Sequence, residues 1–307
     1  MDNEITEEMI NELITHTQSL INHIYWFKQD FNILPTKEHI GTAITYTDIL
    51  ERNDDFLNEL VNTVAAWVYS KSKSKKIIDE RMAVVNGDVA NASSFLTTQA
   101  FSKFRPGHPQ GQFGELLLFN FIQYFFKAVP LLRKQRITTS VGHERFGADA
   151  IHYKKDCNRN IFILGESKCY ESKYKFKDAF EKSLVSIETT SRNLNKELQL
   201  YTYDDFIEGE LEIIAKKYKM NTLSNVNFEL VCLIAYNENK KLKGNNEKEI
   251  KESIESIIKE RCCDLNFNCF DKIDDKIIAK INYVIFPIWK LDELLMDFQR
   301  VVGSKCA

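Results

Sequence analysis

The segment NIFILGESKCY at residues 160–170 constrains the fold more than any other part of the chain. Its first half is apolar, which is typical of a buried strand, but its second half carries Glu166 and Lys168. Alternate side chains of a strand share a face, so these two point the same way and Ser167 points opposite. Burying such a carboxylate and ammonium without compensation costs on the order of 3 to 5 kcal/mol. The pattern therefore predicts a functional site.

A second predicted strand brings another carboxylate to this pair. The segment ADAIHYKK at 148–155 is separated from the first by the turn-like DCNRN, and a hairpin of the two would place Asp149 across from Glu166 and Lys168. Mg²⁺ binds about six oxygens near 2.1 Å, and it commonly takes one or two carboxylates. We therefore expect Asp149 and Glu166 to bind Mg²⁺, or alternatively Mn²⁺, with the Ser167 carbonyl as a further ligand.

Such a centre is suited to phosphodiester hydrolysis, because a bound metal polarises the phosphoryl oxygen and generates hydroxide. Lys168 would orient the attacking water or neutralise the developing charge. We expect its pKa to be lowered by partial burial and by the neighbouring cation.

These residues resemble the PD-(D/E)xK nuclease superfamily, in which an acidic residue on one strand and (D/E)-x-K on the next follow a helix that bears a further Glu. The matching residues are Asp149, then Glu166-Ser167-Lys168, and upstream Glu115 in GELLLF; Ala148 replaces the proline of the motif. The resemblance implies a catalytic role for Glu115, whereas the alternative is that an acidic residue in the first turn of a helix is favoured by the helix dipole. It covers roughly residues 110–200.

The wider arrangement is similar to the nuclease subunit of the Hachiman anti-phage defence system. The resemblance implies a metal-dependent DNA endonuclease restrained by a companion helicase, similar to HamB, and released on phage DNA. Its implied fold is α/β, a restriction-endonuclease-like mixed sheet flanked by helices. Two alternatives stay open: a catalytically inactive nuclease fold that binds DNA or regulates the helicase, and an RNase or DNA-repair nuclease with the same centre.

Other polar residues near the motif are weaker candidates. The position of His152, three residues after Asp149, predicts that it faces the opposite side and is structural, whereas His143 is a candidate for contact with substrate or metal. Three lysines that follow the second strand are candidates for contact with the nucleic-acid backbone. They are Lys173, Lys175 and Lys177.

Periodicity predicts two regions along the chain. The first, residues 1–95, is expected to be helical, with helices over 5–30 and about 48–81. A loop at 91–112 forms the expected boundary because it contains several prolines and glycines. The second, residues 110–307, is expected to be the nuclease domain. Its predicted elements are a helix at 114–132, strands at 137–141, 148–155 and 160–170, a helix at 173–201, a strand at 228–237, a helix at 246–262, a strand at 282–289 and a helix at 290–301.

Composition sets the remaining limits. The 307 residues are 44% hydrophobic and 28% charged, which is ordinary globular usage and excludes a disordered or fibrous chain. The net charge is −3, yet the segment 133–182 contains twelve Lys or Arg against seven Asp or Glu. The seven cysteines lack paired CxxC spacing, which argues against a zinc site and against a disulfide framework. The acidic start and the lack of a long apolar run predict a cytoplasmic protein with no membrane contact.

Overall fold

A mixed sheet of seven strands lies at the centre of the protein. The structure is a computed structural model, and it describes residues 6–15, 17–104, 109–132, 147–171, 175–201 and 209–303, without the side chains of 194–201 and 210. A separate small hairpin consists of β3 and β4. The strands are β1 (Ile24–Asp30), β2 (Glu38–Ile44), β3 (Tyr46–Thr47), β4 (Leu50–Glu51), β5 (Val129–Leu132), β6 (Ala150–Asp156), β7 (Arg159–Tyr170), β8 (Val226–Glu238) and β9 (Ile281–Trp289).

The order across the sheet is β1-β2-β9-β8-β7-β6-β5. The four central strands β2, β9, β8 and β7 run parallel to one another. On one side β1 pairs antiparallel with β2, and on the other side β6 pairs antiparallel with both β7 and β5. The central strands are buried on both faces, which explains why β8 and β9 read as nearly continuous apolar runs.

Helices cover both faces of the sheet, as expected for an α/β protein. One core, on the face of α8 and α10, includes Phe162, Leu164 and Phe180. The other, on the face of α7 and α12, includes Ile163, Phe121 and Phe298. The helices are α1 (Glu7–Leu13), α2 (Gln18–Ile21), α3 (Asn53–Asn62), α4 (Val64–Val68), α5 (Lys71–Val84), α6 (Val89–Phe101), α7 (Pro109–Phe126), α8 (Phe176–Tyr201), α9 (Glu212–Lys219), α10 (Glu247–Cys263), α11 (Asp275–Ile278) and α12 (Leu291–Gly303).

The expectation that residues 1–95 are purely helical is wrong. The helical spacing before residue 22 is confirmed by the short helices α1 and α2, but the chain then forms β1 and β2. Strand β2 pairs with β9 through Ile40 and Gly41. The sheet therefore extends across the boundary that the sequence predicts between the two regions.

Other differences are local. The predicted loop at 91–112 is wrong over its first half, because α6 continues to Phe101, and over its end, because α7 begins at Pro109. The helix predicted at 114–132 ends at Phe126 and is followed by β5. The predicted strand at 137–141 lies outside the described residues. The helices and strands predicted after residue 147 are confirmed within a few residues.

Among the helices that the structure describes, none is both long enough and apolar enough to cross a bilayer.

Candidate metal centre

The antiparallel pairing of β6 and β7 brings Asp149 to the Glu-x-Lys segment. Ala150 pairs with Gly165, and the N–H of Asp149 donates to the Gly165 carbonyl over 2.9 Å. Asp149 thus lies one residue beyond the last pair of the hairpin, beside Glu166. The predicted hairpin and the predicted juxtaposition of the two carboxylates are confirmed.

Glu166 is only 2% exposed, although its carboxylate is ionisable. Its side chain lies on the α8 face, as do those of Phe162 and Leu164 at the same strand parity. The Oε2 atom accepts from the Ser186 hydroxyl at 2.7 Å and lies 3.4 Å from the Lys168 Nζ, while Oε1 accepts from the Thr190 hydroxyl at 2.6 Å. Both carboxylate oxygens are therefore held by hydrogen bonds.

The electrostatics of the centre are those of a charged cluster in a poorly solvated place. Burial raises the pKa of Glu166 above its ordinary value, and the nearby charge of Asp149 raises it further, whereas Lys168 and the hydroxyl groups of Thr190 and Ser186 oppose the rise. A buried carboxylate whose ionisation is disfavoured in this way would gain from a cation beside it.

Without metal the pKa of Lys168 is raised, and the lowering expected beside a bound cation stays a prediction. Burial acts to lower the pKa of Lys168, but the charges of Glu166 and Asp149 outweigh it, and the pKa is raised. Lys168 therefore carries its positive charge at neutral pH. A charged ammonium can stabilise negative charge, but it cannot act as a base that removes a proton.

Asp149 is anchored through Ser167. Its Oδ2 accepts from the Ser167 N–H at 2.8 Å and from the Ser167 hydroxyl at 3.2 Å. The N–H and C=O of a strand residue point to the same side, so the Ser167 carbonyl faces the side of β7 on which Asp149 lies. The oxygens of Asp149, Glu166 and this carbonyl are a donor set of the kind that Mg²⁺ or Mn²⁺ takes, and the residues present fit such an ion.

Glu115 is half-buried in α7, on the opposite face of the sheet from Glu166 and Lys168. The helix begins at Pro109, so Glu115 is not in the first turn, and the capping explanation for it is wrong. The neighbouring Gly114 lies against the site, because a Cβ there would be 3.2 Å from the Ser167 hydroxyl oxygen. Glu115 thus follows directly a residue that packs against Ser167, and its catalytic role stays a prediction.

The weaker candidates that the structure describes have partners other than Asp149, Glu166 and Lys168. His152 is buried against Phe119 of α7, on the face opposite to Glu166, which confirms its predicted orientation. Lys175 and Lys177 form ion pairs with Asp178 and Glu181 of α8 at 3.7 and 3.8 Å. Lys173 and His143 lie outside the described residues.

Sequence reasoning missed the two hydroxyl groups that hold Glu166. Ser186 and Thr190 stand four residues apart on α8, so they occupy one face of that helix and point at β7. The signal available was a polar pair at helical spacing on the apolar side of the helix that follows Glu-x-Lys. Lys182, one turn earlier, lies 5.1 Å from the ring centre of Tyr170.

A second group of potential ligands lies at the far end of the hairpin. It consists of Glu7, Asp156 and Cys157. The proximity of these residues is accounted for by bonds within the protein, since Glu7 accepts from the Cys157 N–H at 2.7 Å and Asp156 pairs with Arg159. It provides no alternative to the site around Glu166.

Fold and site together define an α/β protein in which two carboxylates and a lysine meet where β6 begins, beside the C-terminal part of β7 in a mixed sheet. A family model described as HamA matches residues 21–302, and the chain belongs to the HamA family. This membership suggests a subunit of the Hachiman anti-phage defence system that acts with a partner protein. No curated protein matches the chain.

Proposed function

We propose that this protein is the nuclease subunit of its defence system, a Mg²⁺-dependent DNA endonuclease of the PD-(D/E)xK type with a restriction-endonuclease-like sheet. The observation that carries the proposal is the meeting of Asp149, Glu166 and Lys168 on one hairpin, with Glu166 only 2% exposed. Retaining a buried carboxylate beside a second one costs stability unless the site serves a ligand or a reaction.

Each residue has a distinct task in this proposal. Asp149, Glu166 and the Ser167 carbonyl would hold the ion, which polarises the scissile phosphate and activates water when bound. Lys168, held 3.4 Å from Glu166, presents a fixed positive charge at the edge of the site, where it orients water or stabilises charge that develops on the phosphate. Its side chain is 24% exposed, so it is accessible from solvent.

The test is cleavage of plasmid and linear DNA with Mg²⁺, Mn²⁺ or EDTA, with and without the companion helicase proposed for the system. Glu166→Gln and Lys168→Met should abolish cleavage while leaving the protein folded. Glu229 and Lys154 provide matched controls, because they form a half-buried Glu–Lys pair on the same sheet at 2.9 Å. Glu229→Gln and Lys154→Met should keep the activity. Equal loss in both pairs of variants would contradict the proposal.

A second candidate is a catalytically inactive subunit that binds DNA or regulates the helicase. It is favoured by the hydrogen bonds that satisfy both oxygens of Glu166 without any metal. Absence of cleavage under every metal and partner condition, with DNA binding retained, would support this candidate. RNA of the same sequence belongs in the assay, because preferential cleavage of RNA would indicate the RNase alternative.

A further inference from the structure

Helix α8 places two hydroxyl groups against the buried carboxylate of Glu166, one on each oxygen. Thr190 is 4% exposed and donates to Oε1, and Ser186 is half-buried and donates to Oε2. The Ser186 oxygen also accepts from the Lys168 Nζ at 3.3 Å, so it joins the carboxylate to the ammonium. This arrangement leaves Glu166 little freedom to rotate.

The bonds are unusual for a helix, because Ser and Thr side chains inside helices commonly bond back to the carbonyl four residues earlier. Thr189 shows this ordinary behaviour, donating to the Val185 carbonyl at 2.9 Å while facing solvent. Thr190, the next residue, donates to Glu166 instead. The surrounding face of α8 is apolar, with Leu184 and Ile187 fully buried, so packing alone does not require hydroxyl groups there.

We propose that Ser186 and Thr190 are positioning residues that hold the Glu166 carboxylate in the orientation in which it binds the metal. Ser186 additionally fixes Lys168 beside that carboxylate. Partners behind a ligand orient it and commonly set metal affinity by about 10- to 100-fold. The inference rests on the proposed function, and it extends the centre from the hairpin of β6 and β7 to the helix that covers it.

The test is the affinity of the purified full chain for Mn²⁺ alone, measured by calorimetry without DNA. Thr190→Val keeps the shape of the side chain and removes the hydroxyl, and we expect about tenfold weaker binding or more. Thr189→Val is its matched control, since it makes the same change one residue away on the solvent face. Ser186→Ala should also weaken binding. Its control is Ser183→Ala, because the Ser183 hydroxyl is buried on the same helix and makes no hydrogen bond with the described residues.

A conservative variant separates positioning from packing. Thr190→Ser restores the hydroxyl but lacks the methyl group, so it should recover most of the Mn²⁺ affinity if the hydroxyl is what matters. If Thr190→Ser and Thr190→Val weaken binding equally, the role is packing and the inference is overturned. The same follows if folded Thr190→Val and Ser186→Ala bind Mn²⁺ as tightly as their controls. Wild-type protein that neither binds Mn²⁺ nor cuts DNA would instead overturn the proposed function, and the inference with it.

Discussion

At the scale of single residues, a buried ion pair between Glu238 and Arg261 joins the end of β8 to α10. The Arg261 Nε donates to Glu238 at 2.9 Å, and the backbone N–H groups of Asn239 and Lys240 donate to the same carboxylate at 2.7 and 2.8 Å. The Glu238 side chain is fully buried. Such a carboxylate depends on its partners, because it has lost its water.

We expect Arg261→Met to lower the free energy of unfolding by about 3 kcal/mol, since it strands a buried charge. Urea denaturation would measure this loss. Arg300→Met is the matched control, because Arg300 pairs with Asp297 on an exposed surface of α12, and its loss should cost less than about 0.5 kcal/mol. Equal destabilisation by the two substitutions would contradict the role given to the buried pair.

The same carboxylate gives the protein a pH dependence. Burial acts to raise the pKa of Glu238, but the bonds from Arg261 and the two backbone N–H groups outweigh it and lower the pKa below its ordinary 4.5. The stabilisation is therefore present above pH 4.5 and disappears as the pH falls through the lowered value. The difference in unfolding free energy between wild type and Glu238→Gln should shrink over that acidic range.

The sequence predicted those site residues whose relative positions are set by the two-residue repeat of a strand, and it did not predict the others. Glu166, Lys168 and Asp149 were found because alternation and one short turn fix their relative positions. Ser186 and Thr190 were missed, since only tertiary packing of α8 decides which β7 side chain a helical hydroxyl meets. The direction of the Lys168 pKa shift without metal was missed for a related reason, because it depends on the distance to two carboxylates.

At the scale of elements, α7 approaches β7 through a glycine. Gly114 lies against Ser167 and Cys169, whereas Gly111 of the same helix has nothing within 4 Å of its Cβ position. Gly111→Ala should therefore raise the free energy of unfolding by about 0.5 to 1 kcal/mol, because glycine in a helix costs conformational entropy. Gly114→Ala should raise the free energy of unfolding by less, because the added methyl group would be in close contact with Ser167. Thermal or urea unfolding of the two variants checks the difference, and equal gains would contradict the close approach.

Elements whose apolar residues follow a single clear periodicity were predicted, whereas elements with mixed periodicity were not. Helix α8 has Phe176, Phe180, Leu184 and Ile187 on one face, and all four are buried as its spacing predicts. Strand β1 was read as part of a helix because the spacing of α1 and α2 precedes it directly. Its own exposure alternates along the strand, as expected for an outer strand, and this weak signal was overridden by its helical neighbours.

At the scale of the whole molecule, the N-terminal region is part of both cores. Phe31 and Ile33 belong to the core on the α8 side, and Phe56 and Trp67 belong to the core on the α7 side. The buried His39 of β2 stacks edge-on with Tyr283 of β9 at 4.9 Å. The structure thus ties the predicted nuclease domain to the chain that precedes it.

We expect residues 110–307 alone to fail to fold stably, because removing β2 bares the edge of β9 and removing α3 and α4 bares apolar side chains. Near-ultraviolet circular dichroism and limited proteolysis of the fragment beside the full chain would show this. A cooperative melt of the isolated fragment would contradict the expectation and support two separate domains.

The position of β9 in the sheet has a consequence for biosynthesis. This strand follows β2 by more than 230 residues along the chain, yet it sits between β2 and β8, so the hairpin of β1 and β2 must wait for that much further synthesis before it finds its neighbour. Strand β8 is likewise left with an open edge until that moment. A polypeptide that stops before β9 would leave β8, which supports Glu166 and Lys168 from one side, without one of its two neighbours, so the candidate centre gains its full support only once β9 is in place.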